Sequence, residues 1–489
     1  MTGWAKWRIA VAAPVVVLAP LIALAPTADH RFNIYWHGGM FRDRPWAIVT
    51  HTLGTADTYL RLGNFRPLGR ILEKTLDLLV YLISDVFGLP ANVGLRLVSF
   101  ATAIALTLAA TLLAESVVAS SGGPPSQLLV IVPFAVSGGF VAATASSPAV
   151  LFGGLYFGSA TLVLLVAAAV CRVRPDGVPH RWRIVLLVLG GASLACVNEI
   201  ACLALPFATA AALIRSRIRP AGRRTVVVLA ALWAGFLPVF VAVRVVIHGF
   251  CADGGCYRLS DITLGPAVLT TIPVRATAWA PPLMWEAAIR GTRGSWFGVV
   301  PVVAVLALGA LAWLAIRELP RLSRVDRRDA LALAAVATSL ILLGATLAAL
   351  NAEIQNYRGP WGLGWRDTAV TAAAGAILLV AAGHAASRRT PAWVLIVVFA
   401  LSATVGAAAN KRFADRFSAA PRAILADRIA QEMAAFDASP AGDARRCALR
   451  AEFRAEHADA SFSLARFDES LDVAARELQR VPFCRGAAR

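Results

Sequence analysis

The chain has 489 residues, of which 58% are hydrophobic and only 16% are charged. Soluble domains carry about 25% charged residues, so this composition excludes an ordinary soluble protein and makes the lipid bilayer the expected partner. The formal net charge is +18, although the chain has only three lysines. The excess arginines cluster in short segments between apolar runs, as in the cytoplasmic loops of membrane proteins, which argues against a nucleic acid as the partner.

Apolar runs of about 20 residues, long enough to cross a hydrocarbon core, recur along most of the chain. They are rich in Leu, Val and Ala and show no alternation of polar and apolar positions, which favours helices over a barrel. We therefore predict an all-α fold, a polytopic transmembrane helix bundle with about eleven spans. The bias towards Ala and Arg is typical of a bacterial protein, and the predicted location is the plasma (inner) membrane.

The first apolar run, 7–26, has Lys6 and Arg8 at its N-terminal end, so the N-terminus is predicted to be cytoplasmic. We interpret this run as an uncleaved span, because it lacks the small-residue cleavage site of a signal peptide. The first extracytoplasmic loop follows, residues 27–92. Within it, Pro67 opens an amphipathic pattern that ends near Phe87 and predicts a helix lying on the membrane surface.

The next spans are predicted at 93–115, 128–145 and 151–171. The apolar run 184–214 is too long for one span, and we divide it into two short helices with an outside turn at Asn198-Glu199. With this division, the basic segments that follow residues 171 and 214 fall on the same, cytoplasmic side.

Span seven is predicted at 225–247 and leads into a second large extracytoplasmic loop, 248–296. The apolar segment 264–285 in this loop is interpreted as re-entrant or interfacial, because a span there would place the basic residues of 317–328 outside. The last four spans are predicted at 297–316, 330–350, 368–386 and 391–409. They complete a transmembrane domain, 1–409, and the remaining residues form an extracytoplasmic C-terminal tail, 410–489, with amphipathic helices at 422–436 and 462–478.

Four cysteines lie outside the predicted spans in two pairs, Cys251 with Cys256 and Cys447 with Cys484. Both pairs fall on the side predicted to be extracytoplasmic, where disulfides persist. We therefore predict two disulfide bonds, and their position supports the predicted topology.

Three short motifs occur in a defined order across the membrane domain: Arg-Pro-Leu at 66–68, Asn-Glu at 198–199, and Asn-Tyr-Arg-Gly-Pro at 356–360. The first opens the amphipathic helix, the second precedes a short helix and the third precedes a late span. Together with the outside loop after the first span, this order resembles the GT-C-type membrane glycosyltransferases. The resemblance implies a GT-C-like bundle that moves a sugar from a polyprenyl-phosphate-linked donor to a cell-envelope acceptor on the outer face.

By residue-to-residue match, the resemblance assigns Asp29 as the general base for the acceptor hydroxyl, with Glu199 as a second catalytic candidate. It assigns Arg66, Arg358 and Arg366 to the donor phosphate, whose oxygens suit the guanidinium fork. The chain departs from the pattern of this family at two points. The single acid Asp29 stands where many members have an Asp-Asp or Asp-x-Asp pair, and the His-rich start of the second span seen in many members is absent. The first-loop histidines lack the spacing of metal ligands, and the sequence identifies no cofactor.

Each assignment has an alternative. Asp29 is also consistent with a solvated loop acid, Arg66 with a headgroup anchor, and Glu199 with a cap on the short helix that follows. The first-loop histidines are interpreted as scattered surface residues. For the whole chain, the alternatives are a non-catalytic membrane protein of envelope assembly and a transporter or flippase, although no internal repeat is evident.

Overall fold

A computed structural model describes residues 4–22, 24, 26, 30–118, 124–144, 146–173, 180–219, 222–251, 262–290, 298–357, 364–386 and 391–418, and parts of 425–487. Within these residues the fold is all-α and has no β-strand. The helices are α1 (Trp4–Leu18), α2 (His30–Phe41), α3 (Ala47–Gly54), α4 (Ala56–Arg61), α5 (Pro67–Phe87), α6 (Ala91–Val118), α7 (Leu128–Gly138), α8 (Gly153–Cys171), α9 (Arg181–Leu194), α10 (Ala204–Ser216), α11 (Arg223–Cys251), α12 (Pro266–Thr277), α13 (Pro281–Ile289), α14 (Val299–Glu318), α15 (Arg327–Ala349), α16 (Ala352–Tyr357), α17 (Thr368–Ala386), α18 (Ala392–Ser418) and α19 (Pro440–Glu456).

Seven of these helices are long and apolar enough to cross a membrane, namely α6, α8, α11, α14, α15, α17 and α18. By the length and composition of its helices, the chain is therefore a multi-pass membrane protein. Helices α1, α7 and α10 are apolar but shorter. The run 184–214 is divided as predicted, because α9 ends at Leu194 and α10 begins at Ala204, with Asn198 in the turn between them.

The bundle is built from packed neighbours, among them α6 with α8, α15 with α17, and α9 with α11. In the last pair, a β-carbon on Gly191 of α9 would lie 2.0 Å from the Leu232 carbonyl oxygen of α11. A β-carbon on Gly235 of α11 would lie 1.8 Å from the Val188 carbonyl oxygen of α9. Reciprocal glycines thus allow the two backbones to approach, as in other small-residue helix contacts within membranes.

The segments predicted as cytoplasmic meet at one end of the bundle. Nε of Arg215 donates a hydrogen bond to the Ser116 carbonyl oxygen at 3.0 Å, and the N–H of Gln127 donates to the Ser323 carbonyl oxygen at 3.0 Å. The first contact joins the ends of α6 and α10, and the second joins the segment before α7 to the segment between α14 and α15. The first loop and the α9–α10 turn meet at the other end.

Helix α7 is shorter than its predicted span. It ends at Gly138 rather than near residue 145, and the described residues from there to 152 are non-helical and mostly buried. Inside a membrane protein, such backbone needs partners from the protein itself. Side chains supply them, because Asn410 accepts a hydrogen bond from the Ala142 N–H at 2.8 Å and Arg96 donates to the Val150 carbonyl oxygen at 2.8 Å.

Helix α18 continues to Ser418, past the predicted end of the last span at 409. Asn410, predicted as the first residue of the polar tail, is fully buried. Its Nδ2 donates to the carbonyl oxygens of Val17 at 2.9 Å and Phe140 at 2.8 Å. One amide side chain thus ties α18 to α1 and to the segment after α7, and the membrane bundle includes residues assigned to the tail.

The first loop folds into α2–α5, of which the sequence pattern predicts only α5, with the bounds that are observed. The charged side chains of α5 are covered by α2 and α3, and Glu73, Lys74 and Asp77 are at most 5% exposed. Val86 and Phe87 are 68% and 71% exposed. The helix therefore turns an apolar side outward, as an interfacial helix does towards lipid.

Further along the chain, the segment 264–285 forms two short helices, α12 and α13, neither of which reaches the length of a span.

The tail contains α19, which the sequence pattern does not predict, and the disulfide Cys447–Cys484, which it does. Cys251 is also disulfide-bonded, and its predicted partner Cys256 lies outside the described residues. The helix predicted at 462–478 lies partly outside them. Buried apolar side chains of the tail and of the first loop form one cluster, which includes Leu425, Ile429, Met433, Leu449 and Phe453 together with Ile34, Val80 and Tyr81. The tail therefore packs on the first loop.

Candidate functional site

Two segments distant in sequence meet where α5 begins. The N–H of Leu68 donates a hydrogen bond to the Cys196 carbonyl oxygen at 3.0 Å. The next residue is Gly69, and a β-carbon there would lie 2.0 Å from the Val197 carbonyl oxygen. Because glycine has no β-carbon, the start of α5 fits against the α9–α10 turn.

The turn itself is held by Asn198. Its Oδ1 accepts a hydrogen bond from the Ala201 N–H at 2.9 Å, and its Nδ2 donates to Ser159 Oγ on α8 at 2.6 Å. Asn198 thus makes the capping contact that the sequence also allowed for Glu199. The Glu199 carboxylate is left for other partners.

Glu199 is partly buried and lies within electrostatic range of three arginines, Arg66 at the start of α5, Arg366 before α17 and Arg244 of α11. Removal from water opposes ionisation of this carboxyl group, but the arginines, with Arg66 the strongest, hold the pKa of Glu199 below its ordinary value. Arg66 also lies 4.0 Å from Glu73 of α5. The site is therefore a group of arginines with the carboxyl groups of Glu199 and Glu73 among them.

Arg366 reaches the site from a segment late in the chain. Its guanidinium carbon lies 5.6 Å from the ring centroid of Tyr156 on α8 and 5.1 Å from that of Trp365. The neighbouring Asp367 forms a buried ion pair with Arg275 of α12, with 3.0 Å between Arg275 Nε and Asp367 Oδ2. Breaking such a pair would leave an uncompensated buried charge, which is strongly unfavourable. The ion pair therefore holds the backbone at Asp367 in place, and with it the position of Arg366 near Glu199.

Of the predicted site residues, Arg66, Arg366 and Glu199 come together from three separate segments. Asp29 and Arg358 lie outside the described residues, and their roles stay predictions. Arg244 also belongs to the group, although no role was predicted for it from the sequence. Its position in an apolar helix could have indicated a role, because ionisable residues inside membrane spans are rare and commonly functional.

A second polar cluster lies on α5, and it shows that the interpretation as surface residues was wrong for His30 and His37. His30 and His37 are not scattered on the surface, because their Nδ1 atoms lie 3.4 Å and 2.8 Å from the carboxylate of Asp77, which is 1% exposed. Burial opposes ionisation of Asp77, but the two imidazoles hold the pKa of its carboxyl group below its ordinary value. The two histidines stand about two turns apart on one face of α2, which was the signal in the sequence.

Lys74, one turn before Asp77 on α5, is buried as well. Its Nζ lies 2.9 Å from His51 Nδ1 and donates to Thr52 Oγ1 at 3.0 Å. Burial, together with the charge of Arg70, lowers the pKa of Lys74 to about 8, and burial and Lys74 lower the pKa of His51. In the part of the chain that the structure describes, no three His, Cys, Asp or Glu side chains are placed to hold a metal ion.

The groups at this end of the bundle have two chemical capacities. The arginines around Glu199 can bind an anion, and the imidazoles and carboxylate around Asp77 can orient and move a proton. No family model matches the chain, and no curated protein and no solved structure matches it either. A function is therefore inferred from the chemistry of these residues.

Proposed function

We propose that this protein is a membrane glycosyltransferase with a GT-C-like bundle, which moves a sugar from a polyprenyl-phosphate donor to a cell-envelope acceptor on the outer face. The observation that carries the proposal is the convergence of Arg66 and Arg366 on Glu199. Paired arginines at the end of an apolar bundle suit a phosphodiester headgroup, because the guanidinium fork matches phosphate oxygens. The polyprenyl tail would lie among the apolar helices, with the sugar at the surface.

Glu199 has a defined place in this proposal. Before the donor binds, its carboxylate balances the arginines, and the bound phosphodiester then replaces it as their partner. The lowered pKa makes Glu199 a weak base, so this role suits it better than proton transfer. By resemblance, Arg358 is a third phosphate residue.

The reaction also needs a base for the acceptor hydroxyl, and the resemblance assigns that role to Asp29. The proposal includes the finer topology predicted from the sequence. It has eleven crossings of the plasma (inner) membrane, a cytoplasmic N-terminus and an extracytoplasmic C-terminus.

The test is the binding of radiolabelled undecaprenyl phosphate to the purified protein in detergent. Arg66→Ala and Arg366→Ala should each weaken binding about 10-fold or more, since a hydrogen bond to a charged group contributes about 1.5–3 kcal/mol. Lysine at either position should restore only part of the affinity, because an ammonium group lacks the planar fork. Arg61→Ala is the matched control, because Arg61 is an exposed first-loop arginine paired with Asp57. This variant should bind as the wild type does.

Glu199→Gln provides a complementary measurement, because an amide does not compete with phosphate for the arginines. This variant should bind undecaprenyl phosphate at least as tightly as the wild type. Equal binding by the wild type, Arg66→Ala and Arg366→Ala would contradict the arginine assignment. A strain that lacks the gene should lose an envelope glycan, and an unchanged glycan profile would contradict the transferase itself.

A further inference from the structure

Asp77 is the centre of a buried group that the transferase proposal does not use. His37 Nδ1 lies 2.8 Å from one carboxylate oxygen of Asp77, and His30 Nδ1 lies 3.4 Å from the other. Both histidines belong to α2, which packs against α5. Asp77 follows Glu73 by one helical turn, and Glu73 is the carboxylate that lies 4.0 Å from Arg66. The group therefore adjoins the arginine site.

The two histidines are not equivalent. Nε2 of His30 accepts a hydrogen bond from the Phe152 N–H at 3.1 Å, so the proton of this imidazole is on Nδ1, towards Asp77. Because the Phe152 N–H occupies Nε2, His30 has no nitrogen free to accept a proton from a substrate, which gives it a structural role. His37 also directs Nδ1 to Asp77, but its Nε2 has no hydrogen-bond partner among the described residues, and its side chain is 13% exposed. Nε2 of His37 therefore carries a lone pair that can accept a proton.

The surroundings of His37 favour this use. Asp77 is ionised, because its two histidines lower its pKa, and it can stabilise the imidazolium that forms when His37 takes up a proton. His51 of α3 also lies within electrostatic range of His37, and its Nδ1 contacts Lys74. Burial lowers the pKa of His51, which reduces the positive charge of this imidazole that would oppose protonation of His37.

We propose that His37, oriented by Asp77, is the general base for the acceptor hydroxyl, in place of Asp29. This inference rests on the proposed transferase and names its proton acceptor. The acceptor oxygen forms a bond to the anomeric carbon of the sugar while its proton passes to Nε2 of His37. The bond between the anomeric carbon and the phosphate oxygen breaks, and polyprenyl phosphate leaves with that electron pair. The imidazolium then returns its proton to water.

The proposal also accounts for one departure of this chain from the GT-C pattern. The first loop has one acid at its start, Asp29, where many relatives in that family have two. A carboxylate–imidazole pair on α5 and α2 supplies the missing capacity for proton transfer. In this arrangement, His37 touches the acceptor and is catalytic, whereas Asp77 acts through His37 and is a positioning residue.

The experiment uses the purified protein with radiolabelled polyprenyl-phosphate sugars as donors and membranes of the deletion strain as acceptor. His37→Asn keeps a hydrogen-bond donor towards Asp77 but removes Nε2. It should lower kcat by about 10²–10⁴-fold and leave the KM for the donor nearly unchanged. Added imidazole should restore part of the activity of His37→Ala, which it would not do for a purely structural defect. Asp77→Asn should also lower kcat rather than raise the donor KM.

His30→Gln is the matched control, because Gln can still accept the hydrogen bond from Phe152 while it removes the second imidazole. It should keep most of the wild-type kcat. A wild-type kcat in His37→Asn, or a loss of kcat in Asp29→Asn but not in His37→Asn, would overturn this inference. Neither result would contradict the proposed transferase activity. Failure of the wild type to turn over any donor would overturn the transferase, and the inference with it.

Discussion

Single polar side chains hold the non-helical parts of this bundle together. Asn410 bonds to three backbone groups, the carbonyl oxygens of Val17 and Phe140 and the N–H of Ala142. At membrane depth these groups have no water as an alternative partner. The sequence could not reveal this role, because an asparagine between an apolar run and a charged segment looks like the start of a loop. Only the folded chain brings its three partners together.

Asn410→Ala should therefore destabilise the protein strongly. Each buried backbone group left without a partner costs about 1–3 kcal/mol, so the loss of all three hydrogen bonds should cost at least about 3 kcal/mol. The measurement is the midpoint of thermal unfolding in detergent. Asn356→Ala is the control, because Asn356 is exposed at the end of α16 and its loss should leave the midpoint unchanged. Equal midpoints for the two variants would mean that the hydrogen bonds of Asn410 contribute little.

The residues of the arginine site were more predictable than their contacts. Arg66 and Glu199 stand in two of the motifs and Arg366 was assigned by the resemblance, but their convergence depends on Gly69 and on the α9–α10 turn. The Asp77 cluster was not predictable in the same way. An amphipathic pattern places the charged side of a helix in water, and the pattern of α5 does not show that α2 and α3 cover this side.

At the scale of elements, apolar runs predicted the long helices well and the short ones poorly. Helix α17 has the predicted bounds 368–386, and α5 has the predicted bounds 67–87. No apolar run marks the short helices α2, α3, α4 and α19. Short helices owe most of their stability to tertiary packing, and the residues that supply this packing are distant in sequence. The predicted end of α7 was wrong for a related reason. The buried residues that follow Gly138 are as apolar as those of a membrane helix, although they are not helical, so composition does not mark where the helix ends.

The α9–α11 contact gives a prediction at this scale. Gly191→Ala should destabilise the protein by about 1–3 kcal/mol, because its β-carbon would meet the Leu232 carbonyl oxygen and push the helices apart. Gly190→Ala is the matched control, since its β-carbon would find only the Leu232 Cδ2 atom, at 3.9 Å. The control should be neutral or slightly stabilising, because alanine is the better helix former. Thermal unfolding of both variants in detergent is the measurement, and equal destabilisation would refute the close contact.

At the scale of the whole molecule, the packing of the tail on the first loop constrains the number of membrane crossings. The two share one apolar cluster, so they lie on the same face of the membrane. The seven long apolar helices all lie between them in the chain, and seven crossings would leave them on opposite faces. At least one shorter helix therefore has to cross. The turn at Asn198 joins α9 to α10, and we expect the two together to change the count by two or by none, which leaves α7 as the expected additional crossing.

We therefore expect α7 to cross the bilayer, although its 11 residues span only about 16 Å of a hydrocarbon core about 30 Å thick. The buried segment after Gly138 would cover the remaining depth. Alkaline phosphatase, which is active only outside the cytoplasm, should be active when fused after Phe87 or Arg489 and inactive after Val118. Arginines such as Arg215 lie near Val118, and they favour a cytoplasmic location for this end of α6. Opposite readings at Phe87 and Arg489 would contradict the parity argument and would separate the tail from the first loop.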